Sequence, residues 1–111
     1  MEKIYHKELS SGKWQAISFF EQMANIGGEV ERTINWREKG NLEYGQLAAD
    51  RALELLDLTI DDAKNKKRLH ELLRLREVLT DYFYSSNSFS SSDILWKNYF
   101  FPFGLAVRAG Y

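Results

Sequence analysis

Along most of this chain the apolar residues recur at three- and four-residue intervals, the spacing that gathers side chains on one face of an α-helix. From Ala16 to Lys39 the positions Ala16, Phe19, Phe20, Met23, Ile26, Val30 and Ile34 predict a first helix. Gly27 and Gly28 fall inside it and weaken it intrinsically, which implies either a close approach by a neighbouring helix or a bend. Gly40 and Asn41 tolerate the left-handed conformation that ends helices and read as a stop. A second pattern, Leu42 to Ile60, places Tyr44, Leu47, Ala48, Ala52, Leu55 and Leu58 or Thr59 on one face, widened by Leu53, Leu56 and Ile60. A helix apolar around so much of its girth is expected to touch two neighbours.

Asp61 and Asp62 offer N-caps for a third helix from Ala63 to Tyr84, with Leu69, Leu72, Leu73, Val78, Leu79, Tyr82 and Phe83 facing inward. The stretch SSNSFSSSD then breaks the period, because serines favour turns and caps over helix interiors. Ser91 or Ser92 caps a fourth helix starting near Asp93, whose core face reads as Ile94, Leu95, Tyr99, Phe100, Phe103 and Val107, with Ala106 at its edge. Trp96, Phe101 and Leu105 point away from that face, and Pro102 predicts a kink or break near Phe101, since proline costs about 3 kcal/mol in a helix interior. No repeat and no strand-like alternation interrupts the pattern. The predicted fold is all-α, an antiparallel up-down four-helix bundle over residues 16–111, with residues 1–15 as a mobile N-terminal segment.

Composition narrows the class. The 111 residues suffice for one domain, and 44 % hydrophobic with 28 % charged residues is ordinary for a globular protein. A net charge of -1 argues against a nucleic-acid-coating protein while leaving room for a local basic patch. With no cysteine there is neither a disulfide framework nor a thiolate nucleophile or ligand. The charged opening segment does not read as a signal peptide, and no uncharged run reaches the roughly 18 residues of a membrane span, so a cytoplasmic protein with no membrane contact is expected.

The candidate chemistry is sparse. Lys3 and Lys67 stand three residues before His6 and His70, where a di-metal bundle needs glutamate, so no metal or cofactor is expected. NIGGEVE lacks the Lys and Ser or Thr that follow the glycines of a phosphate loop. Three polar stripes, Asn25, Glu29 and Arg32, then Arg51, Glu54 and Asp57, then Arg74, Glu77 and Asp81, read as solvated faces or as parts of a buried network. A basic segment, Lys64, Lys66, Lys67 and Arg68 with Arg74 and Arg76, could meet phosphates, with Trp36, Arg37 and Lys39 adding to it if the helix ends align.

The segments RALELLDLTIDD and RLHELLRLREVLTDYF, set in four short helices, look like small all-helical proteins of bacteria and archaea. More loosely they resemble the HEPN-type helical domains, which partner nucleotidyltransferases or act as ribonucleases. HEPN ribonucleases carry an Arg followed four to six residues later by His, and no Arg stands at that distance before His6 or His70. No catalytic residue is therefore carried over, and the chain is expected not to be an enzyme. The reading that follows is a self-associating interaction or adaptor module, a homodimer first and a binder of another protein second. Trp96, Phe100, Phe101, Phe103 and Leu105 form its expected interface, since aromatic anchors dominate most interfaces. A nucleic-acid-associated protein using the basic segment is the alternative. An HEPN-like enzyme built on Glu29, Arg32, Arg51 and Asp81 ranks below both.

Overall fold

A computed structural model describes residues 12–111. Four helices follow one another, α1 (Phe19–Glu38), α2 (Leu42–Asp61), α3 (Leu69–Tyr84) and α4 (Asp93–Arg108), in an all-α four-helix bundle. The starts of α1, α2 and α4 are each fixed by a short polar side chain that takes up a backbone N–H which the helix leaves unpaired, whereas α3 continues from the 3-10 segment Ala63–Arg68, itself capped by Asp62. Ser18 Oγ accepts from the Glu21 amide at 3.1 Å, Asn41 Oδ1 from Tyr44 at 3.0 Å and Ser92 Oγ from Leu95 at 3.2 Å. Caps of this kind contribute about 1 kcal/mol each. Gly40, at φ +77°, supplies the left-handed turn between α1 and α2.

Cross-links between neighbours define the directions. Gln22 and Glu29 on α1 bond Asp62 beyond α2 and Arg51 on α2, and Asp57 on α2 bonds Arg76 on α3, so both pairs run antiparallel. On the other side, Phe100 of α4 lies against Gly27 of α1 and Phe103 against Phe20, antiparallel again. The core between them is built from Met23, Ile26, Val30 and Ile34 of α1, Ala49, Ala52, Leu55 and Leu56 of α2, Leu72, Leu75, Leu79 and Phe83 of α3, and Trp96 and Phe100 of α4.

Four expectations change. Trp14, assigned to the segment before the domain, is 2 % exposed and part of the core, in a 3-10 turn Trp14–Ala16; residues 1–11, with His6, lie outside the described residues. The third helix does not start at Ala63: residues Ala63–Arg68 wind as 3-10, a tighter coil that accompanies the inward position of Asn65, which is 2 % exposed. On α3, Leu69 and Leu73 are exposed and Leu75 takes their place, because the row 72, 75, 79, 83 is the one that faces the bundle. Finally, α4 is not broken at Pro102. Both Pro102 and Asn98, whose carbonyl loses its donor, are exposed, so water can serve that oxygen.

The two adjacent glycines of α1 play unequal parts. A Cβ on Gly27 would stand 2.7 Å from Phe100 Cβ, whereas one on Gly28 meets nothing within 4 Å. Close helix packing therefore accounts for Gly27 alone. Gly27→Ala is expected to lower stability by roughly 1–3 kcal/mol through overpacking, and Gly28→Ala to raise it by about 0.5–1 kcal/mol through helix propensity. Thermal denaturation followed by circular dichroism measures both; equal effects would show that α4 does not seat on Gly27.

Candidate interaction surface

Phe100, held in the Gly27 notch, sets the rotation of α4. The residues four before it and three after it lie within about 60° of it on one flank, and the residue one before it lies on that same flank. Accordingly Trp96 is 3 % exposed, while Phe103 and Tyr99 are half-buried against Phe19, Trp96 and Phe100. Of the expected interface residues, Trp96 and Phe100 are thus core. Trp96 is held by packing, as its indole Nε1 has no acceptor among the described residues.

The same rotation turns other large side chains outward. Phe101 is 59 % and Leu105 46 % exposed, joined by Ile94 at 63 % and Leu95 at 46 %, both expected inside. Ile94, Phe101 and Leu105, spaced seven and four apart, form one ridge. Beside this ridge a groove of about 280 Å³ runs between α1 and α4, floored by Gly27 and Gly28 and lined by Ala24, Glu31, Lys97, Phe101, Gly104 and Arg108.

The basic segment is less available than its sequence implies. Lys64 pairs with Asp62 and donates to the Gln15 carbonyl at 3.0 Å. Arg68 lies over the Phe19 ring at 4.2 Å and Arg74 over Phe89 at 4.5 Å while also facing Glu77, and Arg76 bonds Asp57 at 2.5 Å. The hydrogen bond to Asp57 raises the Arg76 pKa against the opposing effect of burial. Lys66 and Lys67 are exposed. Arg37, expected to extend the patch, instead donates to the Phe83 carbonyl at 2.7 Å, clamping the end of α1 to the end of α3.

Two of the polar stripes do meet. Glu29 accepts from Arg32 at 2.7 Å and from Arg51 at 3.3 Å, an ion trio across the α1 and α2 contact. Asp81 stands apart: its carboxylate accepts from the Ser88 and Phe89 amides at 3.0 and 3.1 Å and shapes the serine loop. Among the described residues no three metal-capable side chains gather, His70 is exposed, and no helix is long and apolar enough to cross a membrane.

Sequence reasoning missed a second, fully interior polar network. Gln22 Nε2 donates to Asp62 Oδ2 at 2.8 Å and to the Trp14 carbonyl at 3.0 Å. Asn65 Nδ2 donates to Gln22 Oε1 at 2.9 Å and to the Thr59 carbonyl at 3.0 Å, and Trp14 Nε1 donates to Thr59 Oγ1 at 3.0 Å. Gln22 and Thr59 occupy helix positions on the apolar rows of α1 and α2, one before Met23 and one before Ile60. A polar residue on such a row is the available signal. Every member of the network except Asn65 Oδ1 has a partner, which makes it a tie between segments rather than an open site.

At the edge of this network burial pushes the Asp62 carboxyl up, but hydrogen bonds from the Lys64 and Gln22 side chains and the Lys64 amide, with the charge of Lys64, outweigh it and hold the pKa below the ordinary value. The Tyr99 hydroxyl is pushed up to about 12 by burial and by the charge of Glu71, so it stays neutral across the physiological range.

A depressed carboxyl pKa adds stability that is present above the unfolded value, near 4, and disappears as pH falls through the folded one. Asp62→Asn should therefore cost about 2 kcal/mol at pH 7, where a charged acceptor is lost and an amide N–H is set against the Gln22 and Lys64 donors. The penalty should shrink as both proteins are acidified below pH 4 in urea titrations; an unchanging difference would mean that Asp62 is not charged in the fold. No family model, curated protein or solved structure matches the chain, so any assignment has to come from its own geometry.

Proposed function

We propose that this protein is a non-catalytic, cytoplasmic interaction module that self-associates through the outer side of α4. The observation that supports this reading most is the exposed row of Ile94, Phe101 and Leu105, of which Phe101 also lines the groove, on a helix whose other aromatics are packed. Single exposed apolar side chains are common on soluble proteins, but a contiguous row beside a concave surface is the usual form of a binding face. Burying such a ridge against a partner removes apolar area from water at about 25 cal/mol per Å².

The nucleic-acid alternative is less favoured, because Lys64, Arg68, Arg74 and Arg76 already have acidic or aromatic neighbours in the chain.

Sedimentation and light scattering test the reading. The wild-type chain is expected to be a dimer whose mass is unchanged by salt or by added RNA. Phe101→Asp and Leu105→Asp, at positions already in water, should keep the helical spectrum and weaken association by about 2 kcal/mol or more. A wild-type monomer, or a mass gain with RNA only at low salt, would overturn the proposal.

A further inference from the structure

The groove beside α4 carries a charge pattern of its own. On α1 its border runs Ala24, Gly28, Glu31, and the same side of the helix carries Glu21 three residues before Ala24, just beyond the groove lining. On α4 the opposite border runs Lys97, Phe101, Gly104, Arg108, at four, three and four. The α1 side therefore begins and ends with an acid, the α4 side with a base. Among the described residues no ion pair joins the two borders, although Glu31, Lys97 and Arg108 line the same groove.

The levels of these residues follow from the Gly27 and Phe100 contact. With the helices antiparallel and a rise of about 1.5 Å per residue, Lys97 stands within roughly 2 Å of the level of Glu31, Phe101 within about 3 Å of Gly28, and Arg108 within about 3 Å of Glu21. A two-fold axis lying along the groove exchanges the borders while keeping those levels. It sets α4 of one copy over α1 of the other.

We infer that the occupant of this groove is a second copy of the chain, seated about that axis, with Phe101 of each copy over Gly28 of the other and Lys97 and Arg108 facing Glu31 and Glu21 across the interface. The inference rests on the self-association proposed above and specifies its geometry. Three features meet in it. Gly28 has open space where a side chain would be, so the backbone there can receive an aromatic ring. Phe101 is the large apolar residue of the groove border and is more than half exposed. The charges match only in this parallel arrangement: rotation about an axis across the groove would set Arg108 against Lys97, base against base. Rim charges of this kind select the register, while the apolar centre supplies the affinity.

The test is the dimer dissociation constant by sedimentation velocity for wild type, Glu31→Lys, Lys97→Glu, the double variant, and Gly28→Leu. Each single reversal should raise the dissociation constant about tenfold or more, and the double variant should return to within about threefold of wild type. A Cβ at position 28 meets nothing within 4 Å, so Gly28→Leu enters the groove without a clash at its base and should be monomeric with an unchanged helical spectrum. If wild type dimerises but the single reversals and Gly28→Leu dimerise equally well, the seating is wrong and self-association through another part of α4 stands. Loss in both singles without recovery in the double overturns the pairing. A wild-type monomer removes this inference and the proposed function together.

Discussion

The contact of Phe100 with Gly27 governs the rest of this structure. A methyl group more on α1 would collide with the ring, so the two helices meet at a distance that only glycine allows. Helix α4 packs mainly on α1, and this notch fixes both its height and its rotation. Trp96 and Phe103, about one turn either side of Phe100, both fall on the flank that Tyr99 shares, so that flank is inside and Phe101, about 100° to the other side of Phe100, falls outside. A rotation of α4 by one position would bury a different set of aromatics and present a different surface.

Five residues before Gly27 on α1, around Gln22, the interior is organised by hydrogen bonds instead of shape. Gln22 reaches Trp14, Asp62 and Asn65, so the turn before α1, the end of α2 and the coil leading into α3 are tied at one point. Buried polar groups are costly when unpaired and directional when paired. Such a cluster restricts which segments can come together more than it adds stability, and it explains why Trp14 belongs to the core although its neighbours in sequence carry little periodicity. The domain is thus set by close packing at Gly27 and by polar matching around Gln22.

The surface that remains is the consequence of these two constraints. The cations of the α3 region are largely engaged by acids and rings of the same chain, whereas the acids of the α1 border and the bases of the α4 border face solvent across an apolar groove. An apolar centre flanked by opposite charges on two helices is complementary to itself under two-fold rotation, which is the physical basis for proposing a second copy as its occupant.

The chain's own sequence determined the four helices, the stop at Gly40, caps within the pairs Asp61–Asp62 and Ser91–Ser92 and the turn role of the serine loop, because periodicity and capping act within a few residues; the structure selected Asp62, which caps the 3-10 segment before α3, and Ser92. The sequence also marked the Gly27 and Gly28 pair as a place of close approach or bending, and only the structure singled out Gly27. Only the tertiary structure decided which face of α4 turns inward, since that helix is apolar on nearly every side and its pattern has no unique phase. Ile94 and Leu95 for that reason exchanged places with Trp96. The inclusion of Trp14, the 3-10 path around Asn65 and the meeting of Glu29 with Arg51 were likewise decided between segments distant in sequence. Hydrophobic spacing states that a residue is buried somewhere; the fit of one ring into one glycine notch states against what.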